Sequence, residues 1–108
     1  ELKPKRKFYD YKAKYSKSAQ TQHLMPANVS NKKYKEVLDL AKKAHYALKC
    51  RGVTRSDFKF KDNKFYLLEI NTQPGMTDLS LVPEIAKYVD ISFQKLVKNI
   101  IDDASINR

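Results

Sequence analysis

The sequence predicts an α+β fold in which helices pack on one face of an antiparallel hairpin. Ionisable or amide side chains recur at every second residue in 55–58 and 68–71, and Lys61-Asp62-Asn63-Lys64, which lies between these two segments, has a turn composition. Apolar residues at three- and four-residue steps indicate a long helix before the hairpin and two shorter helices after it. A chain of 108 residues is long enough for one such domain with a modest core.

The first 28 residues are predicted to form a loop. They are basic and aromatic, contain Pro4 and Pro26, and have no sustained helical period. Long loops without secondary structure in a compact domain are usually lids or disordered segments. We therefore divide the chain into a lid segment, 1–28, and a structured part, 29–108. A solvated basic tail is the alternative for the first segment.

The first helix is predicted over residues 31–49. Ser30 is a favourable N-cap, and Gly52 can supply a left-handed cap near the C-terminal end. We expect the apolar stripe of the helix to pack on the even-numbered face of the hairpin. The stripe consists of Tyr34, Val37, Leu38, Ala41, His45 and Leu48. Cys50, at the end of the helix, is interpreted as a packed structural thiol.

The register of the hairpin decides which polar side chains share a face. A three-residue loop over 62–64 would place Asp57 opposite Glu69 and Arg55 opposite Asn71. Three oxygen ligands and a guanidinium would then lie together, with Glu69 in the middle. A two-residue loop would turn Asp57 to the other face, unless a bulge restored the phase.

This polar face is suited to bind Mg²⁺, which prefers hard oxygen ligands. The carboxylate of Glu69 could bridge two ions about 3.5 to 4 Å apart, one shared with Asp57 and the other with Asn71. The alternative is a row of exposed surface ion pairs, which would contribute little to the stability of the fold.

The even-numbered face is expected to be apolar and buried, with Phe65 and Leu67 adding bulk to the polar side. A hairpin that is apolar on one face and partly apolar on the other belongs inside a larger sheet. Its apolar residues are Phe58, Phe60, Tyr66, Leu68 and Ile70.

Two helices are predicted after the hairpin. Val82 to Tyr88 is interpreted as a short helix with Pro83 in its first turn. Ser92 or Asp90 caps the last helix. That helix carries Phe93, Leu96, Val97, Ile100 and Ile101 on its apolar side.

Four motifs, in chain order and with family-like spacing, resemble the C-terminal part of D-alanine D-alanine ligases, which are ATP-grasp enzymes. The motifs are Phe8 to Tyr15, Arg55-Ser56-Asp57-Phe58, Leu67 to Thr77, and Ser80-Leu81-Val82-Pro83. The resemblance implies the C-terminal part of an ATP-grasp fold. Because the family also has an N-terminal and a central domain, we expect this chain to be a fragment of a longer ligase that is inactive alone.

The resemblance implies a role in catalysis or metal binding for six residues. Arg55 would neutralise the acyl phosphate and the tetrahedral intermediate, and the backbone N–H of Gly75 would help to hold the oxyanion. Tyr15 would close over the substrate as part of the lid. The implied ligands of two Mg²⁺ or Mn²⁺ ions are Asp57, Glu69 and Asn71.

The resemblance also implies substrate contacts. Ser80 and the amide of Leu81 would bind the carboxylate of the second D-alanine, and Lys14 would contact both the substrate and the γ-phosphate of ATP. The residues implied to bind ATP are Phe8, Tyr9, Lys14 and Glu69.

The implied reaction is ATP-dependent formation of D-alanyl-D-alanine through an acyl phosphate, for peptidoglycan precursor synthesis. A D-alanine D-lactate ligase or another ATP-grasp ligase is the nearest alternative. The complete enzyme is expected to be a cytoplasmic homodimer with no membrane partner, and a single cysteine agrees with that compartment.

A small nucleic-acid-binding module is a less favoured alternative. The net charge of +10 would suit it, but the lysines are scattered and form no basic run of five or more. We therefore expect no specific nucleic-acid partner.

Overall fold

The computed structural model describes residues 1–4 and 21–106. The chain divides into two compact units, Glu1–Ser30 and Asn31–Arg108. The described residues form two short antiparallel sheets and three helices, which confirms the α+β prediction. The elements are β1 (Leu2–Lys3), β2 (Gln22–His23), α1 (Asn31–Ala47), β3 (Arg55–Lys61), β4 (Lys64–Asn71), α2 (Leu81–Tyr88) and α3 (Phe93–Asp103).

The first unit contains a small antiparallel ladder that the sequence did not predict. Leu2 of β1 lies opposite His23 of β2. The backbone N–H of Leu24 donates to the carbonyl oxygen of Glu1 at 2.8 Å, and the N–H of Asn28 donates to the Glu1 carboxylate at 3.0 Å. Strands of two residues are too short to show an alternating pattern, so no periodicity could indicate them. The lid interpretation depends mainly on residues outside the described ranges and stays a prediction.

Helix α1 begins directly after Ser30, as predicted, and ends in a Schellman motif. The N–H of Cys50 donates to the carbonyl of His45 at 3.0 Å, and the N–H of Lys49 donates to that of Tyr46 at 2.9 Å. Lys49 is the left-handed residue of this motif, with φ of 53°. The prediction that Gly52 caps the helix was therefore wrong in position, although Gly52 also has a positive φ, of 65°.

The hairpin turn has two residues, so the predicted three-residue loop was wrong. Asp62 and Asn63 both have positive φ, at 50° and 60°, and Lys61 pairs directly with Lys64. Positive φ at both central positions matches the right-handed twist of the flanking strands. Asp and Asn tolerate this conformation better than other residues with a side chain.

A β-bulge restores the phase that the short turn would have lost. Phe58 pairs with Leu67, whereas the next residue toward the start of β3, Asp57, pairs with Glu69. Leu68 is thus the extra residue on β4. Arg55 opposite Asn71 and Asp57 opposite Glu69 are the pairs that the sequence predicted, reached through a bulge instead of an odd-length loop.

The bulge also changes the composition of the apolar face. Phe65 and Leu67 lie on the face of Phe58 and Phe60, and not on the polar side as predicted, because the parity of β4 changes at Leu68. The Phe65 ring lies 4.6 Å from that of Phe60 and 6.2 Å from that of Phe58. For the same reason Tyr66, which pairs with Lys59, lies on the ligand side.

Helix α1 packs on the hairpin, as predicted. Lys33 Nζ lies 5.9 Å from the centre of the Phe65 ring, so the helix lies beside the aromatic face. At the other end of the helix, His45 is half-buried, and its Nδ1 is hydrogen-bonded to Thr54 Oγ1 at 2.8 Å. The helix therefore supports the start of β3 without contributing a fully buried side chain.

The buried core of the second unit lies between α2 and α3. Val82, Ala86 and Leu96 are buried. The half-buried residues around them are Val53, Met76, Ile91 and Ile100. Ser92 caps α3 by accepting a hydrogen bond from the N–H of Lys95 at 3.2 Å, which decides between the two predicted caps. Among the described residues, no helix has both the length and the apolarity to cross a membrane.

Candidate functional site

The polar side of the hairpin brings four predicted site residues together. Arg55 and Asp57 are alternate residues of β3, and they lie opposite Asn71 and Glu69 of β4. Side chains of directly opposed residues have Cβ atoms about 5 Å apart. The register therefore groups two carboxylates, one amide and one guanidinium on the same face.

A two-point ion pair dominates this face. Arg55 Nε lies 2.7 Å from Asp57 Oδ1, and a terminal guanidinium nitrogen lies 2.8 Å from Asp57 Oδ2. The same nitrogen lies 3.5 Å from Glu69 Oε1. The Arg55 side chain is only 18% exposed, whereas that of Glu69 is 57% exposed. The guanidinium thus offsets the charge of the more buried carboxylate, and Glu69 remains open to solvent.

The donor set fits a hard divalent cation. Among the described residues there is no cluster of three His, Cys, Asp or Glu side chains, so the third oxygen has to come from an amide. Asn71 supplies it: its Oδ1 accepts a hydrogen bond from the N–H of Gln73 at 2.9 Å. That bond fixes which atom of the amide is the oxygen and leaves it a second lone pair. Two carboxylates and one amide oxygen are typical ligands of Mg²⁺.

The loop after β4 holds a second group of predicted site residues. The N–H of Thr77 donates to Ser80 Oγ at 2.9 Å, the two hydroxyl oxygens are 2.8 Å apart, and the N–H of Ser80 donates to the carbonyl of Thr77 at 2.9 Å. A Cβ atom on Gly75 would lie 2.8 Å from Ser80 Oγ. A larger residue at this position would therefore force the Ser80 hydroxyl to move.

Ser80 and Leu81 lie at the N-terminal end of α2. Ser80 occupies the N-cap position but makes no side-chain cap hydrogen bond, and Leu81 is the first helical residue. The first N–H groups of a helix have no partner within the helix, and they favour an anion. A hydroxyl and a helix amide at this position form a suitable contact for a carboxylate.

Four predicted site residues lie outside the described ranges. They are Phe8, Tyr9, Lys14 and Tyr15, and their roles stay predictions. Sequence reasoning also missed Thr77, whose side chain and backbone both contact Ser80. The three-residue separation of two hydroxyl residues before a helix was the signal that could have indicated this contact.

The chain is similar to known proteins along its whole length. The family model described as D-ala D-ala ligase C-terminus matches residues 1–102. A D-alanine–D-alanine ligase from Pelagibacter ubique is 62% identical over 108 residues, which are all of this chain and 36% of that protein. The chain spans about a third of the length of the curated relatives that it matches.

Two crystal structures of a D-alanine–D-alanine ligase from Bacillus anthracis resemble this fold. One has a TM-score of 0.76 and 33% identity, over 94% of this chain and 33% of that protein. The other, a complex with ATP, has a TM-score of 0.67 and 35% identity, over 69% of this chain and 26% of that protein.

Proposed function

The chain belongs to the D-Ala D-Ala ligase C-terminus family, and we propose that it forms the C-terminal catalytic part of an enzyme that joins two D-alanines at the expense of ATP. The observation that carries this proposal is the register that sets Asp57 opposite Glu69 and Arg55 opposite Asn71. A β-bulge in β4 groups these polar side chains on one face, which supports a function for them beyond surface ion pairing.

Three oxygen ligands would hold the metal ions. Asp57, Glu69 and Asn71 would bind two Mg²⁺ or Mn²⁺ ions, with Glu69 shared between them. The bound ions would supply positive charge to the phosphates of ATP. The Glu69 side chain is more exposed than those of Arg55 and Asp57, so it can turn toward such ligands at little cost in packing.

The reaction needs positive charge at two stages. The carboxylate of the first D-alanine attacks the γ-phosphorus of ATP to give an acyl phosphate and ADP, and the amino group of the second D-alanine then attacks the acyl carbon, loses a proton and displaces phosphate. Arg55 would offset the negative charge of the acyl phosphate and of the tetrahedral adduct. The N–H of Gly75 would donate to the developing oxyanion, and no side chain at this position limits the approach of the ligand.

The two amino-acid substrates and the nucleotide require further contacts. Ser80 and the N–H of Leu81 would bind the carboxylate of the second D-alanine. Tyr15 would assist at the substrate, and the residues that would bind ATP are Phe8, Tyr9, Lys14 and Glu69. The complete enzyme would act as a cytoplasmic homodimer in peptidoglycan precursor synthesis, without a membrane or specific nucleic-acid partner. The chain alone is expected to have no ligase activity.

Glu69→Gln in the complete ligase that contains this chain tests the proposal. The substitution keeps the shape of the side chain and removes the charge shared between the metal ions. We expect D-alanine-dependent phosphate release to fall by at least about a hundredfold, since electrostatic stabilisation of this kind is a large part of catalysis. Unfolding temperature should change little, because the side chain is largely exposed.

Glu36→Gln is the matched control. Glu36 pairs with Lys33 on α1 at 2.7 Å, away from the polar side of the hairpin, so its loss should leave turnover within about twofold. Full turnover by Glu69→Gln would defeat the proposed function. Turnover by the unaltered enzyme with D-lactate, and not D-alanine, as the acceptor would instead favour the ester-forming alternative.

A further inference from the structure

The turn that precedes α2 contains a pair of hydroxyl groups, of which only that of Ser80 has a role in the function described so far. Residues 77–80 form a turn in which Thr77 and Ser80 share three hydrogen bonds. We propose that Thr77 is a positioning residue, whose hydroxyl directs the proton of Ser80 toward the carboxylate of the acceptor amino acid. This inference rests on the proposed function, because it requires Ser80 to contact that carboxylate.

The hydrogen-bonding capacity of Ser80 supports this role. A serine hydroxyl has one proton to donate and two lone pairs to accept with. The N–H of Thr77 can only donate, so it uses one lone pair, at 2.9 Å. When the hydroxyl of Thr77 also donates, across 2.8 Å, both lone pairs are used and the proton of Ser80 points elsewhere. An ionised carboxylate only accepts hydrogen bonds, and its binding therefore selects this arrangement.

The start of α2 explains why Ser80 is available for this role. An N-cap serine usually accepts a hydrogen bond from the second or third helical N–H. In α2 the third helical residue is Pro83, which has no N–H, and Ser80 makes no side-chain cap bond. The hydroxyl of Ser80 is engaged by Thr77, which precedes it, and not by the helix. The Ser80 hydroxyl is therefore oriented by Thr77 and does not cap the helix.

Gly75 provides the space that this arrangement needs. A Cβ atom at this position would lie 2.8 Å from Ser80 Oγ, closer than side chains can approach. Because Gly75 does not have a positive φ, its backbone conformation would allow another residue. The glycine therefore preserves the position of the Ser80 hydroxyl in addition to its proposed contact with the oxyanion.

The test uses the complete ligase and four variants: Thr77→Val, Thr77→Ser, Ser80→Ala and the double variant T77V/S80A. Valine has the shape of threonine and keeps both backbone hydrogen bonds of the turn. The rate is measured against D-alanine concentration and fitted with two Michaelis constants, one for each D-alanine. Thr77→Val should raise only the constant of the acceptor, about three- to tenfold, as expected for one lost hydrogen bond.

Two further results separate positioning from a general structural effect. Thr77→Ser keeps a hydroxyl and should stay within about twofold of the unaltered enzyme. Thr77→Val should have no additional effect in the Ser80→Ala background, since Thr77 acts through Ser80. If Thr77→Val does not fold, Thr77→Ala carries the same expectations.

Three outcomes would overturn the proposal. The Michaelis constant for the acceptor could be unchanged in Thr77→Val, or Thr77→Ser could raise it as much as Thr77→Val does. Thr77→Val could also raise it equally in the unaltered enzyme and in the Ser80→Ala background. These outcomes differ from failure of the proposed function. That failure would appear as an unaltered enzyme without D-alanine-dependent phosphate release.

Discussion

Replacing Arg55 with lysine should tighten metal binding to the complete enzyme while it lowers ligase turnover. Arg55 contacts both oxygens of the Asp57 carboxylate, at 2.7 and 2.8 Å. A metal ion that binds Asp57 has to compete with this two-point contact. Lysine keeps the positive charge but cannot form the planar two-point pair. The variant therefore shows whether Arg55 weakens metal binding through its two hydrogen bonds to Asp57 or only through its positive charge.

The expected magnitude follows from the partly exposed setting of the pair. The Arg55 side chain is 18% exposed and that of Asp57 is 34% exposed, so solvent screens the interaction in part. Pairs in such surroundings contribute up to about 1 kcal/mol, which corresponds to a decrease of roughly fivefold in the dissociation constant of the metal. Turnover should nevertheless fall by about a hundredfold, because the variant lacks the guanidinium that we propose offsets the charge of the acyl phosphate.

Free Mn²⁺ can be followed by electron paramagnetic resonance as each protein is titrated without nucleotide. Arg51→Lys is the matched control, because Arg51 makes a similar contact of 2.8 Å with Asp103, outside the hairpin. The control should leave the dissociation constant of Mn²⁺ unchanged. Weaker Mn²⁺ binding by Arg55→Lys would refute the reasoning, since it would show that Arg55 holds Asp57 ready for the metal and does not compete with it.

Two predictions concern the stability of the chain and can be measured by urea unfolding. Leu96→Ala should lower the free energy of unfolding by about 2 to 4 kcal/mol, because Leu96 is only 6% exposed and its loss leaves a cavity. Ile101→Ala on the same helix should cost less than about 1 kcal/mol, since Ile101 is 65% exposed, and equal losses would contradict the described core. Asn63→Gly should raise the free energy of unfolding by up to about 1 kcal/mol, because glycine adopts the positive φ of 60° without strain. A loss of stability in this variant would show that the turn has another conformation.

The pairing of the site residues could be predicted from the sequence, but its cause could not. Alternation along each strand indicated that Asp57 and Glu69 share a face, and the short motifs indicated the family. The loop length was wrong because Asp62 and Asn63 were treated as part of a longer turn, although both residue types tolerate positive φ. A bulge has no distinct sequence pattern when the extra residue, Leu68, stands within an apolar run.

Contacts made within loops were the other part that the sequence did not predict. Thr77 and Ser80 are joined by a turn whose geometry depends on the backbone, and no periodicity applies there. The cap of α1 was assigned to Gly52 because glycine is the usual left-handed residue, yet Lys49 adopts that conformation three residues earlier. Propensity thus indicated the type of helix end and not its position.

The central claim is that one face of the β3–β4 hairpin forms the metal-binding site of an ATP-dependent ligase. Anomalous diffraction from crystals of the complete enzyme with an ATP analogue and Mn²⁺ tests this claim most directly. The account predicts anomalous peaks about 2.1 Å from oxygen atoms of Asp57, Glu69 and Asn71, with Arg55 no longer bridging both oxygens of Asp57. Bound Mn²⁺ and nucleotide with no peak at these residues would contradict it.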